Sequence, residues 1–336
     1  MRKFIVFMVA LFVGMFAFGQ SVAFSGNVYT GLRADISNGS GTIYANEDAN
    51  GTPVWANFRT DYSLNSNAGL TLNLRVTGID VLSKNQSRFY PFLNRGYVWA
   101  KSENNVVRVR SGYLWDSDFE SSWNAWDTNS NYEWVTELAF FPVKNVELGA
   151  TLPTPYNKMD LVDSFKDTTF GIVFSPDHFR FSTMAQYGST IANRSMNFGV
   201  DFTGIDKFLL RFEGNLQQVG ITNQGFNQLY QQIDFNFGLI STDLQVMEVF
   251  SKAPGVDPTL TFTPNATIDY NGITYYGQYA YSFISNNVSQ ASNQIKVYAQ
   301  IPLNKKAWYQ LGGYVAKSNP NIDVVYSPFV QFFAAF

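Results

Sequence analysis

The sequence predicts an all-β chain: a transmembrane antiparallel up-and-down β-barrel of about 18 strands, with 16 as the alternative count. Three observations carry this expectation. Apolar residues recur with a period of two, not 3.6, along most of the 336 residues. The alternating segments run about 10 to 13 residues, longer than the usual 5 to 6 and close to the roughly 10 that a tilted strand needs to cross a bilayer. Their apolar faces are aromatic, for 31 Phe, 19 Tyr and 7 Trp stand beside only 15% charged residues, where ordinary globular chains carry about 25%. A soluble β-sandwich also alternates, but its strands are shorter and it would leave these rings in water.

The first element is a leader. Met1-Arg2-Lys3 is basic, residues 4–18 are a continuous apolar run, and Gly19-Gln20-Ser21 follows. This is the three-part form of a secretory signal peptide. Ala17 and Gly19 are small at the two positions a signal peptidase reads, so residues 1–19 are expected to be removed and residues 20–336 to form the barrel. The apolar run is too short for a retained membrane helix.

The strands follow in order, with centres near residues 28, 59, 73, 99, 109, 137, 149, 172, 182, 199, 212, 234, 247, 265, 279, 298, 312 and 329. The third is the clearest: Leu70, Leu72, Leu74 and Val76 share one face, and Thr71, Asn73, Arg75 and Thr77 the other. Phe208, Leu210 and Phe212 oppose Lys207, Arg211 and Glu213 in the same way, as Ile295, Val297, Ala299 and Ile301 oppose Lys296, Tyr298 and Gln300. Residues 259–270 contain Pro264 and resemble a loop, yet omitting them leaves 17 strands and puts the two chain ends on opposite sides of the membrane. Taken as an alternating face ending at Asn271-Gly272, a tight-turn pair, they restore an even number.

Short turns are expected at Asn65-Ser66-Asn67, Glu103-Asn104, Lys144-Asn145, Pro176-Asp177, Ile205-Asp206, Ser241-Thr242, Asn271-Gly272 and Asn304-Lys305, with longer connections opposite them at 35–53, 81–95, 115–131 and 153–167. Two stretches leave their faces open. Glu248 shares the parity of Leu244 and Val246, which implies a bulge near Met247 or another register, and Tyr97, Trp99 and Lys101 share one parity.

The chain ends Val330-Gln331-Phe332-Phe333-Ala334-Ala335-Phe336. The final Phe after an alternating apolar face resembles the terminal-strand signal of Gram-negative outer-membrane barrels, with Ala334 where an aromatic often stands. As architecture, residues 20–336 resemble Gram-negative-type outer-membrane porin-like barrels, with the spirochaete sort as the finer expectation. The resemblance implies an integral outer-membrane protein in contact with membrane lipid and a lipopolysaccharide-like surface. It also implies delivery to the barrel-assembly machinery through Phe336, and a state between monomer and homotrimer.

A barrel of 18 strands is too wide for side chains to fill, so it encloses water unless plugged. Few residues separate the expected cleavage site from the first strand, which leaves no room for a plug. Passive diffusion of small hydrophilic solutes and ions is the expectation, with a surface adhesin or structural barrel as the alternative. A channel for hydrophobic substrates would want an apolar lumen. On the expected lumen parity Arg33, Arg59, Arg75, Arg108 and Arg110 form a basic wall, and Glu133, Glu137 and Glu147 follow on the next strands. The connection after the fifth strand carries Asp116, Asp118, Glu120 and Asp127 among Trp115, Trp123 and Trp126. In general porins the loop at this place folds into the pore; the resemblance implies an acidic constriction facing arginines, although the Pro-Glu-Phe-Gly-Gly stretch of that family is missing. The three tryptophans suit either sugar stacking or an interfacial girdle.

Other chemistry is largely excluded. Without cysteine there is no disulfide, thiolate zinc site or cysteine nucleophile. A net charge of −3 offers no footprint for nucleic acid. The single histidine, His178, sits beside an expected short turn, away from any nucleophile at the opposite rim, so no enzyme is expected. Glu47-Asp48 and Asp116/Asp118 lack the spacing of a calcium loop, and no metal or cofactor is implied.

Overall fold

The computed structural model describes residues 21–45, 55–79, 88–114, 133–154, 160–190, 194–217, 226–250, 256–285, 287–318 and 322–336. The expected leader, 1–19, lies outside them. Nineteen strands form one sheet: β1 (Ser21–Ser37), β2 (Ser40–Ala45), β3 (Trp55–Asn65), β4 (Ala68–Ile79), β5 (Arg88–Lys101), β6 (Val107–Leu114), β7 (Glu133–Phe140), β8 (Val146–Pro153), β9 (Thr169–Phe174), β10 (Phe179–Gln186), β11 (Ser195–Phe202), β12 (Phe208–Gln217), β13 (Phe226–Asn236), β14 (Ile240–Val249), β15 (Thr259–Tyr270), β16 (Ile273–Ile284), β17 (Asn287–Asn304), β18 (Ala307–Lys317) and β19 (Val325–Ala335). β19 returns antiparallel to β1, from Asn27 opposite Ala335 to Ile36 opposite Tyr326, and this closes the barrel. β2 and β3 share one place in the wall, since β2 pairs with Leu32 to Ser37 of β1 and β3 with Ser21 to Tyr29. The nineteen strands thus occupy 18 positions, and both ends of the sheet's chain path lie on the short-turn side.

Every expected strand centre falls inside a strand, including the one holding Pro264. Proline has no N–H to donate; the β15–β16 ladder skips Thr263 and Pro264 and resumes in the same register at Asn265 opposite Gln278. Asn271 and Gly272 both take positive φ, as their two-residue hairpin requires.

Four connections differ from expectation. Ser241 and Thr242 lie within β14, and the turn is at 237–239, where Gly238 adopts φ 90° and its N–H donates to Asn236 Oδ1 at 2.8 Å. Phe237 and Leu239 continue the alternation through that turn, which disguises it in the sequence. The 35–53 connection begins as strand, because β1 runs to Ser37 and turns at Asn38-Gly39 into β2. The expected 81–95 connection is strand from Arg88 onward. Between β8 and β9 a single-turn helix, α1 (Leu161–Lys166), is capped by Asp160, whose carboxylate accepts from the N–H groups of Val162 and Asp163.

The two faces of the wall separate by chemistry. Outward stand exposed apolar side chains such as Phe24, Leu32, Phe58, Val98, Leu138, Ile172, Leu210, Leu244, Val297 and Val330. A soluble protein does not display so continuous an apolar belt; lipid chains do not penalise it. The open faces are settled by register. β14 runs without irregularity from Ser241 to Val249 against β13, so Glu248 faces outward and no bulge occurs at Met247. Tyr97, Trp99 and Lys101 oppose Gly112, Arg110 and Arg108, all on the inward face.

The seam between β1 and β19 has a wedge. Phe336 N–H donates to Gly26 O at 2.9 Å and Gly26 N–H to Phe336 O at 3.2 Å. The Phe336 ring lies over Gly26 and reaches Phe58, with centroids 6.1 Å apart. A Cβ on residue 26 would come within 2.2 Å of that ring and 2.6 Å of the Asn57 carbonyl oxygen.

Candidate functional site

The inward face is polar because every second residue of each strand belongs to it. Arg33, Arg59, Arg75, Arg108 and Arg110 all stand there, but not as an uncompensated patch. Arg33 donates to Asp35 at 2.9 and 3.1 Å, and Arg59 to Asp61 at 2.6 and 3.0 Å. Each carboxylate sits two residues along the same strand, and Thr71 also donates to Asp61, at 2.7 Å. Arg75 lies over the Trp55 ring, 4.8 Å from its centroid.

Glu137 opposes Arg110 directly across β6 and β7. Arg110 Nε and Nη2 donate to its two oxygens at 2.9 and 2.5 Å, while Arg108 donates to Glu147 at 3.0 Å and to Glu137 at 3.4 Å. Glu137 is 0% exposed. The two arginines and two glutamates are thus mutually neutralised neighbours and not opposing walls. Glu133 opens β7 opposite Leu114. Asp116, Asp118, Glu120 and Asp127, with Trp115, Trp123 and Trp126, lie outside the described residues, as do Glu47 and Asp48. His178 occupies the turn between β9 and β10 with φ 69°, and its carbonyl accepts from Thr203 N–H at 2.8 Å.

A second acidic group, not anticipated from the sequence, stands elsewhere. β11 to β14 carry four inward carboxylates, Asp201, Glu213, Asp234 and Asp243, around one guanidinium, Arg211. Arg211 donates to Asp201 at 2.7 and 3.3 Å, with Glu213 3.9 Å away. Asp234 and Asp243 oppose each other across β13 and β14. Their charge is met by amides, since Gln232 donates to Asp234 at 2.7 Å, and Gln245 and Asn265 donate to Asp243 at 2.8 and 2.6 Å. In a ring of 18 positions, β12, β13 and β14 lie nine places from β3, β4 and β5. Among the described side chains those three carry Arg59, Arg75, Arg95 and Lys101 against one carboxylate, Asp61. Opposite sectors of the lumen therefore bear opposite net charge. Parity alone marks Asp201, Asp234 and Asp243 as inward; their position across the ring depends on strand order.

Asp243 also begins a row of register partners that runs through Asn265, Gln278, Lys296, Tyr314 and Ser327 across six strands. Tyr276 donates to Asn265 at 2.8 Å, and Ser327 hydroxyl bonds to Asp35 at the far end.

The closed 18-position barrel, apolar outside and charged within, defines the class: the fold is that of outer-membrane porins. The solved structures bear this out. Pseudomonas aeruginosa OccK1 (OpdK) matches with a TM-score of 0.62 at 7% identity, covering 94% of this chain and 98% of that one. OccK5 (OpdH) of the same organism gives 0.61 at 10% identity over 94% and 98%, and a mutant of the Rh. blastica porin gives 0.54 at 13% identity over 94% and 100%. No family model and no curated protein matches the sequence.

Proposed function

We propose that the protein is an outer-membrane porin, a water-filled channel through which small hydrophilic solutes and ions diffuse passively. One observation carries this reading: the inward face of a barrel too wide to fill carries charged side chains on most of its strands, from Arg33 on β1 round to Lys296 on β17, as only water on that side allows. The opposed charge sectors set a transverse field across the passage, which orients dipolar solutes and disfavours apolar ones. In this reading Arg33, Arg59, Arg75, Arg108, Arg110, Glu133, Glu137 and Glu147 line the pore.

We propose also that Asp116, Asp118, Glu120 and Asp127 of the segment 115–131 supply an acidic constriction facing the arginines. Residues 1–19 serve as a removed leader, Phe336 as the mark read by the assembly machinery, and the outer belt meets lipid, a lipopolysaccharide-like surface and, in a trimer, two further copies.

The test is single-channel recording of refolded residues 20–336 in a planar bilayer, with the reversal potential read in a salt gradient. Stepwise ohmic openings are expected. A folded, heat-modifiable barrel that passes no current overturns the channel and leaves the adhesin alternative.

A further inference from the structure

We propose that Lys296 and the tyrosines around it form a lumen subsite for weakly hydrated monovalent anions, an inference that rests on the channel reading above. Lys296 stands on the inward face of β17, between Gln278 of β16 and Tyr314 of β18. Its Nζ lies 5.2 Å from the ring centroid of Tyr314, 5.3 Å from Tyr298 and 6.0 Å from Tyr276. The rings support one another, with Tyr276 and Tyr298 stacked at 4.7 Å, and Phe329 5.1 Å from Tyr314.

What sets this cation apart is its company. Arg33, Arg59, Arg108, Arg110 and Arg211 each hold a carboxylate. Among the described residues Lys296 has ring faces and no ion pair. Aromatic faces attract an ammonium through their quadrupoles, but they leave its net charge uncancelled and its N–H donors without an acceptor. An anion passing along the lumen supplies both.

The rings also decide which anion fits. They displace water around the ammonium, so a ligand must shed part of its own shell to reach it. Thiocyanate, iodide and nitrate lose little by this; sulfate and phosphate lose much. Across Tyr314 and Ser327 the nearest carboxylate on the row, Asp35, lies three strand spacings away and is held by Arg33. On the other side Asp243 lies equally far, about 14 Å at the usual separation. Its charge is further engaged by Gln245 and Asn265, so it does not cancel the site.

The experiment records single channels of the unmodified protein in potassium chloride while a minor fraction of the salt is replaced by potassium thiocyanate or by potassium sulfate. Thiocyanate is expected to depress the chloride current by dwelling at the site, and sulfate to leave it unchanged. Lys296→Gln, with its barrel verified by heat-modifiable migration, is expected to abolish the thiocyanate effect. It should also lower the anion-to-cation permeability ratio by about fourfold, since one unit charge acting over about 10 Å of water shifts anion and cation by about twofold each in opposite senses. Steady openings with no thiocyanate effect in the unmodified chain overturn the subsite and leave the channel standing, whether or not the variant folds. An equal thiocyanate effect in Lys296→Gln overturns it as well. A folded barrel that never conducts overturns the channel reading and the subsite together.

Discussion

Arg110 and Glu137 meet across the β6–β7 ladder with two hydrogen bonds, of 2.9 and 2.5 Å, and Glu137 has no contact with solvent. Arg108 reaches the same carboxylate at 3.4 Å while holding Glu147 at 3.0 Å, so two guanidinium groups share the charge of Glu137. Breaking a buried pair by removing one partner strands the other. Glu137→Ala should therefore destabilise the refolded barrel by about 3 to 5 kcal/mol, read as a lower urea midpoint. The double variant Arg110→Met, Glu137→Leu should lose less than Glu137→Ala alone. A midpoint unchanged in Glu137→Ala would contradict the pairing.

The wedge at the seam makes a steric prediction. A side chain at residue 26 meets a backbone oxygen as well as the Phe336 ring, and the oxygen cannot swing away. Gly26→Val should cost about 1 to 3 kcal/mol through overpacking and reduce the heat-resistant fraction of folded barrel. Adding Phe336→Ala should not restore it, because the Asn57 carbonyl remains in place.

Selectivity separates the two acidic groups. Asp234→Asn with Asp243→Asn removes charge that, among the described residues, is held by amides and not by an ion pair, and should shift the reversal potential toward anion preference. Arg33→Gln with Asp35→Asn removes a neutral pair and should leave the potential where it was. Equal shifts in both double variants would mean that local pairing does not govern the field.

Arg75→Glu in the sector opposite β13 should move the reversal potential the other way, toward cations. The same exchange at Arg108 confounds charge with structure, since it sets a third carboxylate beside Glu137 and Glu147; its signature is lost barrel stability together with altered selectivity.

The inward course of 115–131 is tested by shortening it. Deleting 117–130 should raise single-channel conductance without unfolding the wall, whose β6–β7 ladder begins outside that stretch. An unchanged conductance places the segment outside the pore.

Much of this molecule is legible in its residues. Alternation locates all the wall strands, parity restores the strand holding Pro264, and Asn271-Gly272 announces its own hairpin. The turn at Gly238 escapes because Phe237 and Leu239 keep the alternation going through it. The intrastrand pairs were available as well: Arg33-Ala34-Asp35 and Arg59-Thr60-Asp61 place opposite charges on one face at the strand period, so the arginines carry their own counterions.

Sequence by itself determined the class of structure, since a period of two with aromatic faces and an even strand count admits few arrangements other than a lipid-facing barrel. It also determined which residues turn inward along most strands, because side-chain direction in a strand follows parity, while at Glu248 and at Tyr97, Trp99 and Lys101 only the register decided the face. Only the tertiary structure decided which charges meet. Register set Arg110 against Glu137, closure carried Ser327 to Asp35, and ring order put Asp234 and Asp243 across from Arg75. Each of these relations joins residues far apart in the chain, and electrostatic energy depends on distance in space, which no local pattern encodes.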